Sequence, residues 1–187
     1  MIKNVIFDIG NVLLDFCWKD HIARFGFQGE KADRIAQAMM LGPIWPKLDL
    51  GLESDEDILE QFVAHTPELE QEIRLVFSDL STIVREYEGS VDWIESLKAR
   101  GYHTYYLSNY GERIRREASK ELSFLSHMDG GIMSYTVHLA KPDPAIYQTL
   151  LDRYGLKAEE CVFLDDTVRN VEAAQALGIA GIFVTSQ

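Results

Sequence analysis

Residues 3–15 read KNVIFDIGNVLLD, and this stretch decides the fold. Residues 5–7 are apolar and typical of a short buried β-strand. The carboxylate of Asp8 follows at once, and Gly10 and Asn11 then favour a turn. An acidic side chain directly after a buried strand is expected to face a cleft, because open parallel sheets bind ligands at the carboxyl ends of their strands. Asp8 is therefore the candidate nucleophile of the chain.

The composition is that of an acidic globular protein. Of the 187 residues, 47% are hydrophobic and 26% charged, which suits one domain with an insertion or two small domains. The net charge of −12 argues against nucleic acid as a partner, because phosphate backbones are bound by clustered Lys and Arg. Asp8 interrupts the first apolar stretch before it can serve as a signal peptide, and no apolar run is long enough to span a bilayer. We expect a cytoplasmic protein without a membrane partner, either a monomer or a homodimer.

The chain alternates strand-like and helical patterns on both sides of one helical block. Residues from about 17 to 84 repeat apolar side chains at helical spacing and contain no convincing strand. Beyond this block the patterns alternate, with strands predicted at 102–107, 161–164 and 182–184 and helices at 90–100, 143–154 and 167–177. Such alternation predicts parallel βαβ units. The predicted fold is an α/β domain formed by residues 1–15 and 86–187, with an all-helical insertion at 16–85 after the first strand.

Polar side chains end three of the predicted strands. Asp8 follows the first strand, Ser108 the second, and Asp165 with Asp166 the third. Because parallel strands point the same way, we expect these groups to meet at one edge of the sheet. Carboxylate oxygens suit Mg²⁺, and Asp8 and Asp165 are the predicted ligands. Asp166 is predicted to hold a metal-bound water or to orient a lysine.

A lysine and a phosphate-binding loop complete the predicted site. Lys141 precedes Pro142 and the start of a helix, and its ammonium can stabilise charge that develops in a transition state. The hydroxyl of Ser108 and the backbone N–H groups around Asn109 can bind phosphate oxygens. Attack of the Asp8 carboxylate on phosphorus would then give an aspartyl-phosphate that water hydrolyses.

These motifs resemble those of the haloacid dehalogenase-like (HAD) hydrolase superfamily. Asp8 matches its nucleophile, Ser108 its small hydroxyl residue, Lys141 its lysine, and Asp165–Asp166 its acidic pair, in the family's order. The resemblance covers about two thirds of the chain, and the helical insertion is similar to the family's small cap. It implies a Rossmann-like core, Mg²⁺ dependence and, most commonly, hydrolysis of small phosphate monoesters. The Asp-x-Gly-Asn opening resembles that of some sugar-phosphate phosphatases in the family.

One position departs from the family's pattern. Phosphatases of the family usually carry a second aspartate, the general acid and base, two residues after the nucleophile, and here that position is Gly10. Its backbone carbonyl can still bind the metal, as the resemblance implies, but it has no side chain to protonate a leaving group. General acid–base help is worth about 10²–10⁴-fold in rate. A substitute acid can come from the cap or from Asn11 through a water. Alternatively, a good leaving group, as in anomeric sugar phosphates and acyl phosphates, makes the acid unnecessary.

The predicted function is a Mg²⁺-dependent phosphatase acting on a small phosphorylated metabolite such as a sugar phosphate. Two alternatives come from other classes. A catalytically silent protein of this fold that binds phosphorylated ligands is one, because Gly10 is what such a protein would show. A metal-independent 2-haloacid dehalogenase is the other, and the paired acids Asp165–Asp166 disfavour it. In the insertion, packing is favoured over substrate contact for Trp18 and Trp45.

Overall fold

The computed structural model of the protein describes residues 1–185. A five-stranded parallel sheet stands in its centre in the order β5-β4-β1-β6-β7, and β2 and β3 form a separate antiparallel pair. The strands are β1 (Asn4–Phe7), β2 (Leu14–Phe16), β3 (Val84–Glu86), β4 (His103–Ser108), β5 (Gly130–Met133), β6 (Cys161–Asp165) and β7 (Ala180–Phe183). The predicted α/β class with a parallel sheet is confirmed.

Nine α-helices accompany the strands in the described chain. They are α1 (Trp18–Arg24), α2 (Gly29–Ala38), α3 (Trp45–Leu50), α4 (Asp55–His65), α5 (Glu70–Phe77), α6 (Ser90–Ala99), α7 (Glu112–Glu117), α8 (Pro144–Tyr154) and α9 (Val168–Ala176). Short 3₁₀ segments lie at Pro67–Leu69, Ser119–His127, Ser134–Thr136 and Ala158–Glu160. None of the helices within residues 1–185 is long and apolar enough to cross a bilayer.

Strand β1 is the centre of the sheet and is buried on both faces. Its residue Phe7 pairs with Tyr106 of β4 on one side and with Leu164 of β6 on the other. Successive side chains of a strand point to opposite faces. Accordingly, Ile6 packs in one hydrophobic cluster with α8, and Phe7 packs in a second one with α6. The strand therefore places Asp8 at the carboxyl-end edge of the sheet, next to its central strand.

The helices α1–α5 lie between β2 and β3, within the predicted insertion. They share a continuous hydrophobic core with one face of the sheet, in which Phe62 of α4 and Phe77 of α5 belong to the same buried cluster as Phe7. These helices are therefore fixed against the sheet by apolar burial. The division into two domains at residues 16 and 85 stays a prediction.

Three strands were not predicted from the sequence. The β2–β3 pair joins Asp15 to Arg85 and frames the helical segment, but three residues are too few for a periodic signal. β5 contains Gly130 and Gly131, which disfavour a strand locally. At Gly131 the glycine is required, because a Cβ there would overlap Tyr106 of the neighbouring strand. Tertiary packing overrides local preference at these positions.

Replacing Phe7 by alanine is expected to destabilise the fold by about 3–5 kcal/mol, since the ring is fully buried. The ring also packs edge-to-face on Trp93, with 4.9 Å between the ring centroids. Urea unfolding followed by circular dichroism measures the loss. The control is Leu52→Ala, at a side chain that is 66% exposed, for which a change within about 0.5 kcal/mol is expected. A Phe7→Ala protein as stable as this control would contradict the central place of β1.

Candidate active site

The ends of three adjacent strands bring the predicted residues to one edge of the sheet. Asp8 follows β1, and Ser108 and Asp165 are the last residues of the neighbouring β4 and β6. The backbone N–H of Asp8 donates to the carbonyl of Leu164 at 2.8 Å, so the ladder between β1 and β6 continues through Asp8. All three polar side chains are buried, with Asp8 being 8% exposed, Ser108 2% and Asp165 0%.

Lys141 lies between two of these carboxylates. Its Nζ is 2.8 Å from Oδ1 of Asp8 and donates to Oδ2 of Asp165 at 2.7 Å, and its side chain is 1% exposed. A buried ammonium needs such partners, because a single charge in a low-dielectric interior is costly. The sequence predicted this lysine at the site, and the structure places it in contact with the candidate nucleophile.

The side chain of Asn109 holds the Lys141 loop. Its Oδ1 accepts from the backbone N–H of Lys141 at 2.8 Å, and its Nδ2 donates to the Lys141 carbonyl at 2.9 Å. These two bonds link the loop after β4 to the loop that carries the lysine. The sequence predicted Asn109 as part of a phosphate site; the structure shows its amide occupied by Lys141, while the residue also lines the cavity beside Asp8.

Burial and charge act against each other at the site. Burial raises the pKa of Asp8 from 3.8 to about 6; the Lys141 charge opposes the rise, the Asp165 charge adds to it, and hydrogen bonds from Lys141 and Ser108 oppose it. For Lys141, burial favours the neutral amine, but the two carboxylates outweigh burial and raise its pKa above the ordinary value. The lysine is therefore charged, and the Asp8 carboxylate is less stable than it would be in water.

The acidic groups at this edge fit a divalent cation. Asp8, Asp165 and Asp166 each offer a carboxylate oxygen, and these three oxygens lie within 4.8 Å of one another. Mg²⁺ prefers hard oxygen ligands and keeps several waters. The donor chemistry of the site therefore matches magnesium.

The two members of the acidic pair differ in their surroundings. Oδ2 of Asp165 accepts from Lys141, Oδ1 accepts from the backbone N–H of Thr167 at 2.7 Å, and Nδ2 of Asn170 lies 3.1 Å from both oxygens. Asp166 is only half-buried and lines the cavity. Its oxygens accept from Asn11 at 2.8 Å and from the Thr167 hydroxyl at 3.3 Å, but the residue is more exposed than Asp165.

Asn11 orients Asp166. Its Nδ2 donates to Oδ2 of Asp166 at 2.8 Å, and its backbone has φ 55°, in the left-handed region that Asn tolerates better than most residues. The turn it makes follows Gly10, at which an added Cβ would have no heavy atom within 4 Å. From the sequence, Asn11 is expected only to relay a proton through a water. Its contact with Asp166 joins residues 155 positions apart, so no local sequence pattern indicates it.

A cavity of about 250 Å³ opens over Asp8. Asn11, Asn109, Asp166 and Thr167 line it from the edge of the sheet. Its other walls are largely apolar and include Leu14, Phe16, Trp45, Val84 and Ile114. Trp45 is 7% exposed and packs in the core, as the sequence favours, and it also lines the cavity.

Asp49 of α3 also lines this cavity and was not predicted. Burial and the nearby charge of Asp8 raise its pKa to about 7, and Lys141 opposes the rise. The available signal was a carboxylate between Leu48 and Leu50, on a helix whose other side chains are mostly apolar or aromatic.

The raised pKa of Asp8 predicts that this side chain costs stability when it is ionised. The folded protein holds a proton on Asp8 more tightly than the unfolded chain does, so the stability due to this group is complete below about pH 4 and is lost as the pH rises through about 6. In EDTA, Asp8→Asn is expected to exceed the wild type in unfolding free energy by about 1–3 kcal/mol at pH 8 and to differ little at pH 4. Chemical denaturation at both pH values measures this.

The matched control is Asp33→Asn on α2, which removes an exposed carboxylate and is expected to behave as the wild type at both pH values. An Asp8→Asn protein that is less stable than the wild type at pH 8 would contradict the account of Asp8.

Known proteins are similar to this chain in sequence. Residues 2–178 match the family described as haloacid dehalogenase-like hydrolase. The chain is 26% identical over 188 residues to the sesquiterpene phosphatase astK of Aspergillus oryzae, which covers 98% of this chain and 90% of that protein. It is 24% identical over 189 residues to (S)-2-haloacid dehalogenase 1 of Pseudomonas sp. strain CBS-3, covering 95% and 82%. Several other curated relatives are longer, and the chain spans only 17% or 18% of them.

A solved structure gives the same fold. The HAD family enzyme of Bacteroides thetaiotaomicron, in complex with magnesium and inorganic phosphate, superposes with a TM-score of 0.75 at 22% identity, covering 100% of this chain and 96% of that one. The family match confirms the resemblance inferred from the motifs. Because the match extends from residue 2 to residue 178, the chain belongs to the haloacid dehalogenase-like hydrolase family.

Proposed function

We propose that the protein is a Mg²⁺-dependent phosphatase that hydrolyses a small phosphorylated metabolite, such as a sugar phosphate, through an aspartyl-phosphate. The observation that carries the proposal is the position of Asp8. Its carboxylate lines the cavity, is 2.8 Å from the Lys141 ammonium, and is one of three acidic groups that can share a cation. A nucleophile, a cation to stabilise charge and a metal site thus coincide.

The reaction assigns a role to each residue. An oxygen of Asp8 attacks phosphorus, the bond to the leaving oxygen breaks, and an acyl phosphate forms that water then hydrolyses. The Lys141 ammonium is bound by Asp165, and Asn109 holds the backbone of Lys141. The ammonium stabilises the negative charge of the transferring group. The Ser108 hydroxyl and the backbone N–H groups near Asn109 receive phosphate oxygens.

The metal would be held by Asp8, the Gly10 carbonyl and the acidic pair. The contacts favour Asp166 as the more direct ligand, because it opens to the cavity, and Asp165 as the partner of Lys141. This exchanges the two roles expected from the sequence. Bound there, Mg²⁺ would neutralise the phosphoryl group, which a protein with a net charge of −12 otherwise repels.

The cavity indicates a substrate with a compact organic group. A volume of about 250 Å³ admits a small ester, and the walls beyond the acidic edge are mostly apolar and aromatic. Aromatic side chains such as Trp45 and Tyr110 can pack on the carbon face of a sugar or on a hydrocarbon. The helical segment that carries Trp45 thus selects the leaving group, as the predicted cap at residues 16–85 would.

Phosphate release from a panel of small phosphate esters tests the proposal. The wild type is expected to release phosphate with Mg²⁺ and to lose this activity in EDTA. Asp8→Asn is expected to reduce turnover by about 10³-fold or more, because the group that forms the intermediate is gone. Asp33→Asn, at an exposed site on α2, is expected to retain wild-type turnover.

Two results would favour the alternatives. Halide release from 2-chloropropionate in EDTA, without phosphate release, would assign the protein to the dehalogenases, one of which it resembles at 24% identity. Tight binding of phosphate esters without turnover would assign it to silent ligand-binding proteins, as the lack of a side chain at Gly10 suggests. Either result would contradict the proposal that the protein is a phosphatase.

A further inference from the structure

The loop after β1 provides no side chain that could protonate the leaving group. Departure of an alkoxide from phosphorus needs a proton donor, and Gly10 cannot supply one. Three carboxylates line the cavity within the described chain, namely Asp8, Asp49 and Asp166. Asp8 is the proposed nucleophile, and Asp166 is bound to Asn11 and faces the metal site. Asp49 is the one that the proposed reaction leaves without a task.

The backbone of Asp49 is fixed to the loops of the site. Its carbonyl accepts from the hydroxyl of Ser134 at 2.5 Å, and the oxygen of Ser134 accepts from the backbone N–H of Tyr110 at 2.9 Å. Tyr110 stands two residues after Ser108, in the loop that follows β4. One buried hydroxyl therefore ties the helix that carries Asp49 to the predicted phosphate-binding loop.

The end of α3 is packed closely on the core as well. Gly51 ends the helix with φ 62°, and a Cβ at this position would lie 2.9 Å from Cβ of Tyr135. The carbonyl of Leu50 pairs with Nδ1 of His138 at 2.9 Å. Asp49 thus lies on a helix that is docked at both its last turn and its cap, and the residue lines the cavity from this position.

The surroundings of the carboxyl suit a proton donor. Apolar groups such as Trp45 and Ile114 share the cavity with it. Burial and the charge of Asp8 raise the pKa of Asp49 to about 7, so that the carboxyl holds a proton near neutral pH and can release it.

We propose that Asp49 is the general acid and base of this enzyme, supplied by the helical segment in place of the side chain missing at Gly10. The inference rests on the proposed phosphatase function. As Asp8 forms its bond to phosphorus and the bond to the leaving oxygen breaks, the Asp49 carboxyl transfers its proton to that oxygen and an alcohol departs. The Asp49 carboxylate then takes a proton from the water that attacks phosphorus. The bond between phosphorus and Asp8 breaks, and inorganic phosphate and both starting side chains are regenerated.

This assignment defines the substrate class. A protein with its own proton donor hydrolyses ordinary alkyl phosphate monoesters, whose leaving alkoxide is strongly basic. It is not confined to anomeric or acyl phosphates, which need little protonation. Substrates are thus phosphate monoesters of compact primary or secondary alcohols.

The dependence of rate on the leaving group tests Asp49. The substrates are n-propyl phosphate, with a poor leaving group, and 4-nitrophenyl phosphate, with a good one. In kcat/KM, which reports the steps up to departure of the alcohol, Asp49→Asn is expected to lose about 10²–10³-fold on the propyl ester and less than about 10-fold on the nitrophenyl ester. The ratio of the two losses is unaffected by any misfolded fraction, because both are measured on one sample.

Two further variants sharpen the experiment. Asp33→Asn makes the same chemical change at an exposed site on α2 and is expected to leave both rates unchanged. Gly10→Asp in the Asp49→Asn background is expected to restore part of the propyl ester activity, since a side chain at Gly10 meets no heavy atom within 4 Å of its Cβ.

The outcomes separate this inference from the proposed function. If the wild type hydrolyses both esters and Asp49→Asn slows both equally, or slows neither, the role of Asp49 is overturned. The proposed phosphatase function would still stand. A wild type active on the nitrophenyl ester alone would also overturn the role of Asp49. A wild type inert toward both esters would overturn the phosphatase, and the role of Asp49 with it.

Discussion

The buried contact of Lys141 with Asp8 and Asp165 is the interaction on which the site depends. The ammonium nitrogen lies within 2.8 Å of an oxygen of each carboxylate at the end of the central strand, and all three side chains are almost fully buried. Removing the ammonium of Lys141 would leave two buried carboxylates without a counter-charge, which costs about 3–5 kcal/mol. The pairing nevertheless does not offset the burial of Asp8 completely, because its pKa remains above the ordinary value. The fold thus buries a carboxylate whose ionised form would be more stable in water. Binding a cation, or transfer of its charge to a bond with phosphorus, would lower the free energy of this group.

The packing of the helical segment α1–α5 on the sheet is a second constraint on the site. The buried side chains of the segment are continuous with those of the sheet, and α3 is fixed through Ser134 and Gly51 to the loops after β4 and β5. The side of the cavity away from the sheet is therefore formed by side chains of a helical segment packed on the core. Under the proposed function, this segment would select the substrate and supply the proton donor, and Asp8 would supply the nucleophile.

The sequence predicted the parts of the molecule that depend on local pattern. An apolar run ending in an acid located β1 and β6, and the Asp143–Pro144 pair marked the start of α8, at which Asp143 caps the helix by accepting from the N–H of Ala145. Convergence at one sheet edge followed from parallel topology alone. The β2–β3 pair, β5 and the Asn11–Asp166 bond arise from contacts between distant residues, and no local pattern encodes them. Asp49 was missed because helical spacing shows which residues share a face, but not which face meets a cavity.

In the proposed reaction, the Asp8 carboxylate itself receives the phosphoryl group. The most direct measurement is rapid acid quenching during turnover of 4-nitrophenyl phosphate, followed by peptide mass spectrometry to locate an acid-stable, base-labile phosphoryl group. We expect a phosphorylated peptide with the modification on Asp8, absent from the Asp8→Asn protein. Turnover with no phosphorylated peptide, or with the group on another residue, would contradict the proposed reaction.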